Sequence, residues 1–300
     1  MRKTVLQSLY RRFPFDLRGD CRVMEESGGI VISCVINFYG RINLLEGILY
    51  SLAVQDYPVD TFEVVLVEDQ GGTVQGRAAA DRFSEFLPVR YLPLDANFGR
   101  MGYSRNYGLA HARGRYVLFL DDDTVLLQND FLSKLADCFE ANPAVDALVP
   151  HGSASYSVVE GRYGYHDPFF MTSRCTAYRR TVLAELSGFV SDFIGQEDVE
   201  FVIRFLLSDK KSLNVPELNY FHPPLLVSNF GKPMAVGMSF SGLRKRYSTI
   251  IWILVLLNCM RHAPLYLLPG RFNREMGRFG IGFFLGAVKG LLGGREVRYG

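Results

Sequence analysis

Three consecutive carboxylates, Asp121-Asp122-Asp123, follow directly on the apolar run 116–120 (YVLFL). Side by side they repel one another, and a purely structural role returns nothing for that repulsion. Their oxygens suit Mg²⁺ or Mn²⁺. One or two carboxylates suffice where phosphate oxygens and water complete the shell. A cation held there can bridge a diphosphate and stabilise the charge it gathers as a C–O bond to phosphate opens. The competing reading is a solvated turn or helix cap, for which Asp is also favoured; placement straight after YVLFL weighs against it. A second acidic group, Gln196-Glu197-Asp198, opens a helical pattern. Acids there favour the helix macrodipole, but a carboxylate opposite a leaving group can equally deprotonate an attacking hydroxyl.

These groups need a frame. Short apolar runs at 30–36 (IVISCVI), 62–67 (FEVVLV), 89–92 and 116–120 read as strands, the longer ones buried on both faces. Segments 41–53, 74–86 and 103–112 between them read as helices; the first carries a stripe of Ile42, Leu45, Ile48, Leu49 and Leu52. Strands alternating with helices predict a doubly wound α/β sheet. Such sheets bind ligands at the carboxyl ends of their strands, and two of these strands end in acids, Glu68-Asp69 and the Asp triplet. Downstream, the pattern predicts a helix over 130–141, a strand over 145–150 and a hairpin or loop over 153–167. A short helix over 179–186 stopped by Gly188, a helix over 198–207 and an extended segment over 213–220 follow. After Pro223-Pro224 the character changes, and 243–260 and 274–292 read as apolar, basic helices.

Composition bounds the answer. Of 300 residues, 48% are hydrophobic and 21% charged, which excludes wholesale disorder. The net charge of +2 is uneven: residues 231–300 hold eleven Lys/Arg against two Glu, residues 1–20 hold five against two Asp, and the middle carries about −10 by difference. An acidic centre fits a cation site, and basic ends fit an anionic surface. The five scattered cysteines lack metal-ligand spacing and read as reduced thiols of a cytosolic protein. The basic residues 1–20 show no signal peptide. The longest apolar run, 250–257, is eight residues, short of the roughly 20 that span a bilayer. No G-x-G-x-x-G follows a strand and no G-K-[ST] occurs, which sets aside a dehydrogenase and a P-loop ATPase. No nucleic-acid module is present, and no nucleic-acid partner is expected.

Several ordered motifs carry a resemblance. Asn37-Phe38-Tyr39 follows the first strand, LEGILYSLAVQDYPVDTF spans 45–62, and VLVED spans 65–69. Asn97-Phe98-Gly99 precedes Ser104-Arg105-Asn106-Tyr107-Gly108; Gly114-Arg115-Tyr116 leads to FLDDD; Gly188-Phe189 precedes Gly195-Gln196-Glu197-Asp198. Over about 30–222 the chain resembles glycosyltransferase family 2, inverting enzymes with the nucleotide-sugar-binding GT-A fold. Two departures, Gln70-Gly71-Gly72 and Gly40, fall near the base and ribose site and leave the nucleotide open.

The resemblance implies a basic N-terminal segment (1–27), a GT-A catalytic domain (28–230) and a C-terminal helical extension (231–300). Within the domain, 28–127 would bind nucleotide and 128–230 the acceptor. Asp123 would be the principal metal ligand, for Mn²⁺ or Mg²⁺, with Asp121 holding ribose or the metal shell and Asp122 supporting either. Asp69 would accept a hydrogen bond from a uracil ring, unless it caps a helix. Asn37 and Tyr39 would line the base pocket, with packing an alternative for Tyr39. Arg105 would face the diphosphate or base, or make a salt bridge with the acidic edge. Asp198 would be the general base, with Glu197 contacting the acceptor or orienting Asp198. His222 would be a further metal or diphosphate ligand, or structural, and His151 and His166 structural or acceptor-side. The implied reaction moves a sugar from a nucleoside-diphosphate sugar, with UDP favoured, to a saccharide or lipid-linked saccharide in cell-envelope polysaccharide synthesis. The alternatives are a nucleotidyltransferase acting on a sugar phosphate, disfavoured because residues 37–41 are not a Gly-rich basic loop, and a non-catalytic relative. The tail would lie on an anionic membrane surface at the inner face of the cell membrane, pack on the domain, or do both.

Overall fold

The computed structural model describes residues 3–25, 27–153, 157–159, 162–164, 168–223 and 229–294. His166, and part of the expected hairpin or loop over 153–167, lie outside them. In chain order the elements are α1 (Lys3–Arg12), β1 (Ile32–Phe38), α2 (Ile42–Ala53), β2 (Phe62–Glu68), α3 (Val74–Phe83), β3 (Val89–Pro93), α4 (Met101–His111), β4 (Tyr116–Asp121), β5 (Val125–Leu126), α5 (Phe131–Ala141), β6 (Ala147–Ser153), β7 (Ser157–Val159), β8 (Arg162–Gly164), β9 (Cys175–Arg179), α6 (Arg180–Glu185), α7 (Glu197–Leu207), β10 (Ser212–Phe221), α8 (Gly231–Gly242), α9 (Thr249–Met260) and α10 (Arg271–Leu291).

One mixed sheet orders its strands β3-β2-β1-β4-β9-β6-β10-β5, and β7 pairs with β8 apart from it. The first four strands are mutually parallel, while β9 runs antiparallel to both β4 and β6. The expected α/β sheet is present, and its second half is mixed. Alternation along β1, β2 and β4 divides the core. Cys34, Ile36, Val64, Leu66 and Leu118 face α2 and α5, whereas Val35, Val65, Val67 and Phe119 face α4, α6 and α7. Burial on both faces is why these strands read as continuous apolar runs. The sheet carries Pro216 at a register shift between β10 and β6, a position where the missing N–H breaks no ladder.

Two features hold the C-terminal elements together. Arg204 of α7 is almost fully buried; it pairs with Glu200 one turn away and donates to the carbonyls of Leu17, Leu186 and Gly188. Glu200 also accepts from Tyr247 Oη, so the N-terminal segment, α7 and the tail meet at one buried ion pair. The tail's α8 packs on α10 at backbone distance: a Cβ on Gly237 would strike the Phe283 carbonyl, and one on Gly286 the Met234 carbonyl. Leu6, Phe193, Phe240, Ile251, Val255 and Phe283 form a third core cluster beneath the tail.

The expectation for the apolar run 250–257 needs correction. Thr249–Leu267 is 19 residues long and apolar enough to cross a membrane by length and composition, because a short 3-10 turn over Ala263–Leu267 extends the run beyond Met260.

Candidate active site

The strand ends assemble the acidic edge. Register across the parallel β1–β4 pair sets Asn37 beside Asp121, and β1–β2 sets Phe38 beside Glu68. The chain leaves β1 through Gly40 and Arg41 at φ +59° and +49°, leaves β2 through Gln70 at φ +59°, and enters α7 through Gln196 at φ +60°. Non-glycine residues in this left-handed region concentrate where the surrounding structure holds them, often at functional sites. Three of the six in the described chain border this edge.

Every carboxylate of the triplet has a cationic partner. Arg105 Nη2 contacts Asp121 Oδ1 at 2.6 Å. His222 Nε2 lies 3.0 Å from Asp123 Oδ1 and 3.6 Å from Asp121 Oδ2. Arg41 reaches Asp122 Oδ1 at 3.0 Å and Asp123 Oδ2 at 2.7 Å. Arg105 and His222 are buried; Arg41 is half-exposed. His222 arrives from the end of β10, whose antiparallel pairing with β5 sets Phe221 beside Val125, two residues past the triplet. The structure thus brings His222 to the acids.

These contacts decide the charges. Burial opposes the imidazolium of His222, but hydrogen bonds to Asp121 and Asp123 outweigh it and raise its pKa to about 9. Despite burial, Arg105 and His222 hold Asp121 well below the carboxylate range. Burial likewise raises Asp123, and His222 more than reverses it. Asp122 goes the other way, to about 6, because burial and its two acidic neighbours outweigh Arg41.

Arg105 also joins the triplet to the second acidic group. Its Nε donates to Glu197 Oε1 at 2.5 Å, and Glu197 is 2% exposed. Burial pushes the Glu197 carboxyl up, and Arg105 offsets part of that rise. The third guanidinium nitrogen, Nη1, is buried with no hydrogen-bond partner among the described residues. Asp198 is more accessible. Its Oδ2 accepts from Ser173 N at 3.1 Å and its Oδ1 from Val199 N at 2.7 Å.

On the β2 side, Asp69 does not cap α3; that helix is capped by Thr73, which accepts from Gly76 N. Asp69 Oδ1 accepts from Gln70 N at 2.7 Å and Oδ2 from Gly99 N at 2.8 Å, tying two loops together. Asn37 is buried, its Nδ2 donating to Ser104 Oγ at 2.7 Å while Oδ1 has no partner among the described residues. Tyr39 is half-exposed beside it. His151, on β6, meets the Phe169 ring edge-on. Sequence reasoning missed Arg41, although its place one turn past β1, next to the strand carrying the triplet, was the available signal.

Among the described residues no three of His, Cys, Asp and Glu are set to hold a cation by themselves. Asp121 and Asp123 form an oxygen donor pair with the His222 ring against it. Its chemistry fits a hard cation whose remaining ligands are diphosphate oxygens and water.

Comparison with known proteins bears on the family and the fold. The chain is similar to the poly(ribitol-phosphate) beta-N-acetylglucosaminyltransferase TarS of Staphylococcus aureus, 35% identical over 91 residues, 30% of this chain and 16% of that protein. The matched stretch thus spans about a sixth of that relative's length. The fold is similar to that of the mannosyltransferase PcManGT from Pyrobaculum calidifontis, solved with GDP-Man and Mn²⁺ (TM-score 0.60, 16% identity, 98% of this chain and 96% of that one). It is also similar to S. aureus TarS 1-349 in complex with UDP (TM-score 0.56, 19% identity, 84% and 71%). The profile of "Glycosyl transferase family 2" matches residues 33–194, from β1 through the Gly188-Phe189 turn. The mixed sheet with flanking helices is GT-A-like, and the chain belongs to glycosyltransferase family 2.

Proposed function

We propose that the chain transfers a sugar from a nucleoside-diphosphate sugar, with inversion, to a saccharide hydroxyl. The observation that carries this reading is the Arg105 bridge: one buried guanidinium holds Asp121 of the triplet and Glu197, the residue before Asp198. It ties the acids assigned to a phosphate-binding end to those assigned to a proton-accepting end.

Each residue then has a task. Asp69, Asn37 and Tyr39 surround the base, and the free Asn37 Oδ1 is an acceptor awaiting a donor. Asp121 and Asp123, with His222 beside them, would hold Mn²⁺ or Mg²⁺, which neutralises the departing diphosphate when bound. His222 must release its proton before it can ligate a metal. Asp122 and Arg41 flank that pair. Arg105 Nη1 donates to a diphosphate oxygen. Asp198 takes the acceptor's proton as the hydroxyl attacks the anomeric carbon opposite the leaving group. Glu197, locked by Arg105, positions Asp198 from the next backbone unit. UDP is the favoured carrier, since TarS is a fold relative solved with UDP. The acceptor is a saccharide or lipid-linked saccharide of the cell envelope, met at the inner face of the membrane. Residues 1–27, 28–230 and 231–300 would be the basic N-terminal segment, the catalytic domain and the basic, apolar helical extension.

A screen of UDP-, GDP- and dTDP-sugars for nucleotide release with Mn²⁺ or Mg²⁺ tests this. Release of UDP that chelation abolishes is expected. Pyrophosphate released from a nucleoside triphosphate and a sugar phosphate would instead establish nucleotidyl transfer. No turnover of any donor would favour a binding relative.

Arg41 gives a sharper check on the cation. Its half-exposed salt bridges compete with a metal for Asp122 and Asp123, and such pairs are worth up to about 1 kcal/mol. Arg41→Ala is therefore expected to tighten Mn²⁺ binding by up to about fivefold, followed by the free-Mn²⁺ electron paramagnetic resonance signal. Weaker binding would place Arg41 on the ligand side.

A further inference from the structure

The outer face of α9 and the turn after it expose apolar side chains that the fold does not use. Ile250, Ile253 and Leu257 recur at helical spacing along one side of α9, and Leu257 is 56% exposed. Leu267, 87% exposed, and Leu268 continue the patch past the 3-10 turn. The opposite side is committed. Ile251 and Val255 lie in the cluster with Phe240 and Phe283, and Trp252 Nε1 donates to the Phe240 carbonyl at 3.1 Å. Exposed cations bracket the patch: Arg244 and Lys245 before α9, Arg261 after it, and Arg271, paired with Glu275, at the start of α10. Across 231–300, eleven Lys/Arg stand against two Glu.

We infer that this face docks in the plane of an anionic lipid bilayer. An apolar helix side ringed by cations matches the headgroup–acyl boundary, where the apolar side sinks in and the cations meet lipid phosphates. Crossing the bilayer does not fit the geometry, although Thr249–Leu267 passes on length and composition. The α-helical part is 12 residues, about 18 Å long at 1.5 Å per residue, against a hydrocarbon core of about 30 Å. Spanning would also strip Ile251, Val255 and Trp252 from the core. Docking has a consequence for the site. Ser239 of α8 accepts from Ile194 N at 3.2 Å, and Phe240 packs edge-on against Phe193. Both contacts lie just before Gln196-Glu197-Asp198, so the tail couples the membrane plane to the proposed acceptor side.

The inference extends the proposal of a membrane-borne acceptor without depending on it, because vesicle binding is measured without donor or acceptor. The full chain is mixed with phosphatidylcholine vesicles, or with vesicles about one-third phosphatidylglycerol, at about 0.05 and 0.5 M salt, and floated. Binding to the anionic vesicles that weakens at high salt is expected. Ile253→Asp with Leu257→Asp, and separately Arg244→Glu with Lys245→Glu, are each expected to weaken it about tenfold or more. All four side chains are exposed, and circular dichroism checks that the variants fold. A wild-type chain that stays unbound at low salt overturns the inference. So do substitutions that leave vesicle binding intact, or that disperse a dimer of this chain without changing it.

Discussion

Replacing Asp198 by Asn is expected to lower sugar transfer by about 10²–10⁴-fold, the range for losing a positioned general base, while UDP affinity stays within about twofold. The side chain sits at the start of α7 with both oxygens held by backbone donors, Ser173 N and Val199 N. These bonds aim the carboxylate and leave each oxygen a second lone pair. Asn keeps the shape and one of the two acceptors. Its amide cannot take a proton, and turned toward Ser173 N or Val199 N it would cost about one hydrogen bond, about 1 kcal/mol, too little to account for the expected loss. The proposed nucleotide site lies at the ends of β1, β2 and β4, which the substitution does not touch. Transfer rates and UDP titrations on one preparation separate the outcomes. Unchanged transfer sinks the assignment; loss of both signals marks Asp198 as a structural cap.

Much of this site was legible because its strands are buried on both sides. β1, β2 and β4 are mostly apolar runs, and β2 and β4 end in acids, so Asp69 and the triplet could be placed from pattern. What pattern could not give was the partner of each charge. Arg105 had an even choice between the diphosphate or base and a salt bridge with the acidic edge; Nε and Nη2 pair with Glu197 and Asp121, while Nη1 keeps no partner among the described residues. Arg41 was harder to read, because its reach across to the triplet depends on two left-handed residues, Gly40 and Arg41, turning the chain at the end of β1. Strand β9 (CTAYR) was missed for a related reason. Its Thr176 satisfies itself locally on the Thr172 carbonyl, and Arg179 donates to carbonyls of α5 and the loop after it while lying over Tyr116 and Phe139. Neither residue carries an apolar or alternating signal. In the tail, α8 (GKPMAVGMSFSG) has poor intrinsic helix propensity. It forms because those same glycines let α10 approach to backbone contact, a tertiary gain that local propensity does not contain.

Arg105→Leu is expected to destabilise the chain by about 3–5 kcal/mol, the range for removing one partner of a buried ion pair. Arg105 is 3% and Glu197 2% exposed, so solvent cannot replace the guanidinium. Glu197, whose carboxyl burial already pushes up, would take up a proton rather than stay charged. Asp121 would keep only His222, at 3.6 Å. Urea unfolding gives the first readout. The double variant Arg105→Leu/Glu197→Gln supplies the second: an amide replaces the orphaned carboxylate, so part of the lost stability is expected to return. Activity is expected not to return with it, because the link from the triplet to the Asp198 helix is still missing and Nη1 has gone with the side chain. Arg105→Lys keeps the charge but offers one ammonium where two separate carboxylates were reached by Nε and Nη2, so it should fall between wild type and Leu on both scales. A Leu variant within about 1 kcal/mol of wild type would mean that water reaches this edge and that the bridge is an exposed pair in energetic terms. Recovery of both stability and transfer in the double variant would mean that Arg105 only neutralises Glu197, and the proposed coupling of the two ends of the site through one guanidinium would fail.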